Sequence, residues 1–458
     1  MENYKAHCLI LPYPVQGHIN PMLEFSKRLQ YQGIKITLAV TKFLFKTLEE
    51  LESYSASSSI ISVETISDGF DDGGRKTGDA ELYLNTFQRV GSETLSELIL
   101  KLQDLGFPVD CIVYDAVAPW ALDVAQKFGI FGAAFFTQSC AVDNIYYHVY
   151  KGLLKLPLVK NEEVRIPGLP SLSSSDFPSF VADYGSYPPV FQLVLNQFLN
   201  VEKAEWLFFN TFNELEDEVI EWMAQIYPVK TIGPAIPSMY LDKRIQDDKE
   251  YGFNMFQPMT NSCITWLNKR SENSVIYVSF GSLAELNTKQ MEELAWGLRS
   301  SNNYFLWVVR KSEESKLPKG FLEEKTDKCL VVSWCPQLQV LAHKSIGCFI
   351  THCGWNSTLE ALSLGVPMVA MPQWSDQTTN AKLIMDIWKM GIKAQSDDNG
   401  IVKRDEIEKC IRQVMEGEKG EELRTNATKW KELAKKSVDE KGSSDMNIKE
   451  FVNKLISS

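Results

Sequence analysis

Two side chains that could move a proton each follow a short apolar run in the first half of the chain. His18 comes after Leu9–Tyr13 and lies in the loop Pro14–Ile19, before a helix that Asn20-Pro21 is predicted to open. Asp115 ends a later apolar run. Doubly wound sheets expose functional groups at the carboxyl ends of their strands, and a carboxylate on one imidazole nitrogen leaves the other nitrogen to accept a proton. The two residues therefore predict a general base, provided that their strands are neighbours.

Each of these residues also has an ordinary structural role open to it. His18 could cap or pack against the helix that follows it, and Asp115 could cap the helix that begins at Pro119-Trp120. The pattern alone does not separate these roles from catalysis.

A second group of polar residues lies in the other half of the chain, where an apolar strand runs into a glycine turn and a helix. The strand Gly347–Thr351 is followed by Cys353-Gly354-Trp355, and Asn356-Ser357-Thr358 opens an apolar helix. Free N–H groups and the positive dipole end of a helix attract anions, although Asn or Ser there is first of all an N-cap. The segment is neither a Walker loop nor a G-x-G-x-x-G fingerprint. It predicts either a phosphate site or an ordinary helix cap.

Two residues near this helix start have side chains that suit a nucleoside. Glu360 lies four residues after Asn356, on the same helix face, where its carboxylate could accept hydrogen bonds from ribose hydroxyls. Trp334 follows an apolar run and could stack on a base. A solvated surface charge and a core tryptophan are the alternative interpretations.

Short apolar runs alternate with amphipathic stretches along both halves, as parallel sheets with crossover helices require. A loop region is predicted over Pro167–Pro189 and helices from about Ile407 to the end. We expect an α/β fold of two doubly wound, Rossmann-like domains that face each other across a cleft. The predicted strands are His7–Tyr13, Ile34–Thr41, Ile61–Ile66, Cys111–Asp115, Gly132–Phe136 and Trp206–Asn210, then Val275–Phe280, Tyr304–Val309, Leu330–Trp334, Gly347–Thr351 and Val366–Met371.

The joint between the halves is marked by Gly233-Pro234, Pro237 and the charged run Asp242–Lys249. We expect an N-terminal domain over residues 1–240 and a linker over 241–260. A C-terminal domain is expected over 261–439, with the last helix, about 440–458, returning to the first domain.

Composition limits the partners and the compartment. The 458 residues carry a net charge of −12, which argues against nucleic acid or anionic membranes because their phosphates would be repelled. Nine cysteines without a C-x-x-C pair or a zinc-type grouping predict buried free thiols in a reducing compartment. The apolar run Cys8–Val15 is too short and too rich in proline for a signal peptide. We expect a cytosolic monomer that does not insert into membranes.

The whole run from Trp334 to Gln377 spans 44 residues without a gap. It resembles the signature box of plant family-one uridine-diphosphate (UDP) glycosyltransferases, which glycosylate secondary metabolites and hormones. The likeness extends from P-Y-P-V-Q-G-H-I-N-P near the start to the final helices. It implies the GT-B architecture, with an acceptor-binding N-terminal domain and a UDP-sugar-binding C-terminal domain. It also implies an inverting transfer of glucose from UDP-glucose to a small hydrophobic acceptor.

The resemblance also implies a donor site. Trp334 stacks on the uracil, and Gln337 and Glu360 hold the ribose. Trp355, Asp376 and Gln377 face the sugar hydroxyls, and a terminal Gln in the box goes with glucose where His goes with galactose. The implied phosphate ligands are His352, Asn356, Ser357, Ser279 and Ser282, and the donor set is completed by Gly17, Cys335, Gly354 and Trp374.

The phosphate turn of this implied site has no positively charged Lys or Arg side chain of its own. The helix dipole and His352 are therefore expected to stabilise the departing diphosphate. The sequence has no Asp-x-Asp pair of the kind that metal-dependent sugar transferases use. We expect no metal and no cofactor, with UDP-glucose as co-substrate.

By the same resemblance, His18 and Asp115 are the catalytic pair. His18 removes the proton of an acceptor hydroxyl or positions a carboxylate, and the product is a β-glucoside or a glucose ester. The most similar subgroup acts on benzoate-type acids, thiohydroximates, terpenoids and steroids. A protein that binds nucleotide sugars without catalysis, and the same chemistry with another UDP-sugar, are the alternatives. The predicted acceptor-binding residues are Val15, Gln16, Tyr147, Phe180, Tyr184 and Trp374.

Overall fold

The computed structural model describes residues 4–50, 61–75, 78–160, 162–248, 251–253, 258–323 and 326–457. The chain divides into two compact units. Unit 1 comprises Met1–Ser174, Phe180–Met255 and Lys436–Ser458, and unit 2 comprises Ser175–Ser179 and Phe256–Lys435. Five residues from the first half of the sequence are thus part of unit 2, a contribution that the hydrophobic pattern does not indicate.

Unit 1 is built on a seven-stranded parallel sheet with the strand order β3-β2-β1-β4-β5-β6-β7. All residues of β1 and β4 are buried, as expected of central strands in a sheet covered by helices. The strands are β1 (His7–Leu11), β2 (Lys35–Thr41), β3 (Ser62–Ile66), β4 (Cys111–Asp115), β5 (Phe131–Phe136), β6 (Trp206–Phe209) and β7 (Val229–Thr231). The helices between and after them are α1 (Gln16–Tyr31), α2 (Lys42–Glu50), α3 (Ala80–Asp104), α4 (Trp120–Phe128), α5 (Cys140–Tyr150), α6 (Ser179–Ala182), α7 (Pro188–Asn196) and α8 (Asp217–Met223).

Unit 2 repeats this design with a six-stranded parallel sheet in the order β10-β9-β8-β11-β12-β13. Its core is a cluster of apolar residues from the sheet and its helices. The strands are β8 (Val275–Ser279), β9 (Tyr304–Val308), β10 (Cys329–Val332), β11 (Ile346–Thr351), β12 (Met368–Ala370) and β13 (Gly391–Lys393). The helices are α9 (Thr260–Leu267), α10 (Thr288–Ser300), α11 (Gln337–Leu341), α12 (Trp355–Leu364), α13 (Gln377–Lys382), which continues as one π-helical turn over Leu383–Ile387, α14 (Arg404–Met415) and α15 (Gly417–Val438).

The last helix, α16 (Ser443–Ser457), packs on the sheet of unit 1. Phe451 on this helix meets Phe208 and Trp206 of β6, with ring centroids 5.0 and 5.5 Å apart. Burying a phenylalanine side chain is worth about 2 kcal/mol, so these contacts hold the C-terminus against the first half of the sequence.

All eleven predicted strands are present, with ends within two residues of the prediction. Strands β7 and β13 were not predicted, because three residues are too few for a periodic signal. The loop prediction over Pro167–Pro189 was partly wrong, since this region contains α6 and the start of α7.

One predicted helix start was wrong, and at a second helix the alternative interpretation of Asn356 as a cap was wrong. Helix α1 begins at Gln16 and not at Asn20-Pro21, so proline lies inside the helix instead of opening it. Helix α12 begins at Trp355 with Gly354 as its N-cap residue, so Asn356 lies in the first turn and does not cap it. Proline and asparagine favour helix starts only statistically, and tertiary packing decides the actual boundary.

The nine cysteines are all unpaired, and eight of them are buried. Within the described parts of the chain, none of the helices combines the length and the apolar composition needed to cross a bilayer.

Candidate active site

The predicted proton-transfer pair comes together in unit 1. Strands β1 and β4 are parallel neighbours, with Leu11 opposite Tyr114, so the residues after one strand meet the end of the other. The Nδ1 atom of His18 lies 2.6 Å from Oδ2 of Asp115. The carboxylate is 1 % exposed, whereas the imidazole is 24 % exposed and accessible to a small molecule.

The hydrogen bonds around Asp115 show which ring nitrogen of His18 is available. Oδ2 of Asp115 also accepts from the backbone N–H of Tyr13, at 3.2 Å, and Oδ1 accepts from that of Val117, at 3.3 Å. A carboxylate with these donors accepts the Nδ1 proton of His18, which leaves Nε2 with its lone pair. Thr137, at the end of β5, brings its hydroxyl within 3.2 Å of the same Nδ1. The imidazole is therefore oriented by two residues, of which the sequence indicated only Asp115.

The structural alternatives for both residues differ from what is observed. Asp115 does not cap α4, whose N-cap residue is Pro119. His18 does not lie in a loop but in the first turn of α1, two residues after Gln16. Its backbone N–H bonds to the carbonyl of Val15, so the ring is carried by a rigid element.

The residues that were predicted to bind the acceptor lie in different elements of the structure. Val15 and Gln16 adjoin His18 at the start of α1, and Gly17, predicted for the donor, is exposed in the same turn. Tyr147 lies instead in an aromatic cluster on α5, where its ring packs against Phe198, Trp222 and Tyr227.

Two more of the predicted acceptor residues lie in the aromatic segment that follows Ser179. Phe180 is buried, with its ring 5.8 Å from that of Tyr187. Tyr184 is exposed, with its ring 5.8 Å from that of Phe191.

In unit 2, the predicted ribose-binding side chains form one hydrogen-bonded group. Nε2 of Gln337 donates to Glu360 at 2.8 Å and to Ser357 at 3.0 Å. Its Oε1 accepts from the hydroxyl of Tyr277, at 2.9 Å. The same hydroxyl lies 3.2 Å from Sγ of Cys335. Tyr277 was not predicted, because in the sequence it looks like any other residue of the buried strand β8.

The predicted base-stacking residue, Trp334, lies two residues beyond the end of β10 and is half-buried. Its carbonyl accepts a hydrogen bond from the backbone N–H of Met259, at 3.0 Å. This bond ties the residue to the start of α9.

In the part of the site that is predicted to bind phosphate, the ring of His352 lies between Gly281 and Gly354. A Cβ atom on Gly281, whose φ is +71°, would lie 2.8 Å from the imidazole, and one on Gly354 would lie 2.5 Å from it. Only glycine lets the two backbones approach the ring so closely. Burial lowers the pKa of His352 to about 4, a shift that the carbonyl of Ser279 opposes and the charge of Arg310 reinforces. Burial therefore disfavours the charged form of this imidazole, and the role of His352 toward a diphosphate stays a prediction.

A cation near this turn is Arg310, which follows β9. Its guanidinium donates to the carbonyl of Ser282 and, at 2.6 Å, to that of Ala284. Arg310 lies 28 residues from Ser282 in sequence, and no motif links the two. The parallel pairing of β8 with β9 brings the ends of the two strands together and so explains the contact.

The sugar end of the predicted donor site is a tight turn before α13. Oε1 of Gln377 accepts from the backbone N–H groups of Gln373 and Trp374, at 2.9 and 3.1 Å. Two backbone donors fix the orientation of this amide, so Nε2 is the group that remains for a ligand. Oδ2 of Asp376 accepts from Nδ2 of Asn380 at 2.7 Å, and burial raises the pKa of Asp376 to about 6.

Trp355, also predicted for the sugar, has a buried ring 6.0 Å from that of Trp388. Among the residues that the structure describes, no three His, Cys, Asp or Glu side chains are grouped so as to hold a metal ion.

Comparison with known proteins finds similarity to one family of sugar transferases. The family model described as UDP-glucoronosyl and UDP-glucosyl transferase matches residues 243–431. The chain is 51 % identical to UDP-glycosyltransferase 74F2 of Arabidopsis thaliana and 50 % identical to flavonol 7-O-beta-glucosyltransferase UGT74F1 of the same plant, with 99 % of each chain covered. The crystal structure of Os79 from O. sativa in complex with UDP superposes with a TM-score of 0.92 at 42 % identity, covering 98 % of this chain and 100 % of that one.

The chain consists of two Rossmann-like units. One unit carries an imidazole oriented by a carboxylate, and the other carries a helix N-terminus of the kind that binds phosphate. Together with the similarity above, these features define a glycosyltransferase of the GT-B fold that uses a UDP-sugar. The predicted fold class is thereby confirmed. The full-length identity assigns the chain more narrowly: it belongs to the plant family-one UDP-glycosyltransferases.

Proposed function

We propose that this enzyme transfers glucose from UDP-glucose to a hydroxyl or carboxylate group of a small hydrophobic acceptor, with inversion at the anomeric carbon. The observation that carries the proposal is the 2.6 Å contact between His18 and Asp115, which leaves Nε2 of a partly exposed imidazole free to take a proton.

The reaction is a single displacement. Nε2 of His18 takes the proton from the acceptor hydroxyl as the oxygen forms its bond to the anomeric carbon, and the bond from that carbon to the diphosphate breaks. UDP leaves with the bonding electron pair. Asp115 stabilises the imidazolium that forms. An α-linked donor yields a β-glucoside, and an acceptor carboxylate, already ionised, needs only positioning and yields a glucose ester.

The diphosphate is anionic, and the protein must balance its charge in the transition state. The first turn of α12 supplies backbone N–H groups and a positive dipole end, and Arg310 supports the turn Ser279–Ser282. We propose that these groups act without a metal. His352, whose pKa burial lowers to about 4 in the protein alone, is proposed to bind the diphosphate through a ring nitrogen.

Glucose is proposed as the sugar because Gln377 ends the box. Two backbone N–H groups donate to Oε1 of Gln377 and so fix the orientation of the amide. Its Nε2 atom is therefore a hydrogen-bond donor with a set direction. The flavonol glucosyltransferase at 50 % identity supports both glucose and a flat aromatic acceptor. We propose phenols, aromatic acids, terpenoids or steroids as acceptors, and a cytosolic monomer without nucleic-acid or membrane partners, consistent with a net charge of −12.

The test is the release of UDP from UDP-glucose with a panel of phenols, aromatic acids and triterpenes, with product identification by mass spectrometry. UDP-galactose and UDP-glucuronate are the matched alternative donors, and the reaction without acceptor measures hydrolysis. Acceptor-dependent release that is fastest with UDP-glucose supports the proposal. UDP binding without turnover of any acceptor would contradict it and indicate a protein that only binds nucleotide sugars.

A further inference from the structure

The segment Ser175–Ser179 belongs to unit 2, although its neighbours in sequence on both sides belong to unit 1. Its last residue, Ser179, makes a reciprocal pair of hydrogen bonds with Ser375. The N–H of Ser179 donates to the carbonyl of Ser375 at 2.8 Å, and the N–H of Ser375 donates to Oγ of Ser179 at 2.7 Å. Both backbone groups of Ser375 are thus held by one residue from outside the box.

The same segment is attached along the whole start of α13. The hydroxyl of Thr378 donates to the carbonyl of Phe177 at 2.6 Å, and that of Thr379 donates to the carbonyl of Asp176 at 2.7 Å. Phe177 is fully buried. The carboxylate of Asp176 lies 3.6 Å from the ammonium group of Lys382 and 3.7 Å from that of Lys393. Through these contacts the segment Ser175–Ser179 is attached to both α13 and β13.

Ser375 needs such support because of its backbone conformation. Its φ is +60°, in the left-handed region that is unfavourable for a residue with a side chain. Such a conformation persists only where the surroundings enforce it. Asp376 and Gln377 follow directly, so the conformation of Ser375 sets where the two side chains at the predicted sugar end begin.

We propose that Ser179 is a positioning residue for the sugar end of the donor site: its hydroxyl and N–H hold Ser375 in the left-handed conformation that aims Asp376 and Gln377 at the sugar. This inference rests on the proposed function. The uridine end of the box has its own support from Tyr277, Gln337 and Glu360, so the two ends respond separately to substitution.

The test compares Ser179→Ala with wild type in steady-state kinetics and calorimetry. The alanine variant removes the acceptor of the Ser375 N–H and leaves the backbone bond from Ser179 in place. We expect the KM for UDP-glucose to rise about fivefold and the preference for UDP-glucose over UDP-galactose to fall by a similar factor. The Kd for UDP, which lacks the sugar, stays within about twofold of wild type.

Three further variants make the result specific. Ser179→Thr keeps the hydroxyl and restores the wild-type values, and Thr378→Val, which removes the bond to Phe177, acts in the same direction as Ser179→Ala. Ser171→Ala is the control, since its hydroxyl donates to Glu163 at the surface. Unchanged sugar parameters in Ser179→Ala, or an equal loss of affinity for UDP and UDP-glucose, would overturn the positioning role. Wild-type enzyme that transfers no glucose would instead contradict the proposed function itself.

Discussion

Nδ1 of His18 lies 2.6 Å from Oδ2 of Asp115, although the two residues are 97 positions apart in the chain. The contact follows from the parallel pairing of β1 with β4, which brings the end of one strand beside the residues after the other. It places a partly exposed imidazole on a buried carboxylate, an arrangement that can accept a proton and stabilise the resulting charge.

Replacement of His18 by alanine tests its role as the base. We expect kcat for an alcohol or phenol acceptor to fall about 100-fold or more, because proton removal loses its acceptor. A carboxylate acceptor, which carries no proton at neutral pH, loses less. Calorimetry with UDP is the control, and a variant that no longer binds UDP would argue for a structural role of His18 instead.

Replacement of Asp115 by asparagine tests the coupling of the pair. An amide NH₂ can donate to Nδ1 and so favour the tautomer in which Nε2 already carries a proton. We expect a loss of about 100-fold or more in kcat, and a double variant with His18→Ala that is no slower than His18→Ala alone. Additive losses in the double variant would show that the two residues act independently.

The hydroxyl of Tyr277 supports the ribose end of the site through Gln337. Tyr277→Phe removes one hydrogen bond from a buried group, so the affinity for both UDP and uridine is expected to fall about fivefold. Tyr304→Phe, half-buried in the neighbouring strand β9, is the matched control. Unchanged uridine affinity in Tyr277→Phe would show that the bond to Gln337 does not matter for binding.

Arg310 supports the phosphate end through the carbonyls of Ser282 and Ala284. Arg310→Gln is expected to lower the affinity for UDP about tenfold, because the turn loses its support and the site loses a positive charge. Uridine, which has no phosphate, is affected little. Arg412→Gln, an exposed residue paired with Glu408, is the control. An equal loss for UDP and uridine would indicate a general disruption of unit 2.

The lowered pKa of His352 predicts a pH dependence of stability. Its folded pKa is about 4 and its ordinary value is 6.5, so the unfolded chain binds the proton more readily. The contribution of His352 to the free energy of unfolding is therefore complete above pH 6.5 and is lost as the pH falls towards 4, up to about 3 kcal/mol.

Comparison of wild type with His352→Asn in urea unfolding at pH 7 and pH 4.5 isolates this contribution. Asp376 acts in the opposite direction, because its raised pKa of about 6 makes its contribution decrease as the pH rises from about 4 to 6. Since Asp376 is common to both proteins, its effect cancels to first order. Wild type should lose more stability than the variant on acidification, and parallel losses would refute the assignment.

The parts of the fold that could be predicted were those with a signal in consecutive residues. Strands such as β1 and β8 are continuous apolar runs, and their ends were predicted within two residues. Strands β7 and β13 have three residues each and no such signal. The start of α1 was misplaced because Asn20-Pro21 has the composition of a helix start, while packing carries the helix back to Gln16.

The residues of the candidate site also divide into those that a pattern of neighbouring residues indicates and those that it does not. Gln337, Glu360, Asp376 and Gln377 lie within one contiguous box, so their spacing could be recognised without knowing the fold. The supporting residues Tyr277, Arg310 and Thr137 come from strands or strand ends elsewhere and have no motif of their own. Their functional groups can be found only from what they contact.

The sequence by itself determined the class of protein, the order of strands and helices in each half, and the side chains that are candidates for donor binding and proton transfer. Tertiary structure decided which of them share hydrogen bonds, that burial lowers the pKa of His352, that Arg310 lies beside the phosphate turn, and that Ser179 bonds to the turn before Gln377. The physical reason is that composition and periodicity act over neighbouring residues, whereas burial, pKa and hydrogen bonding depend on atoms that only strand pairing and packing bring together.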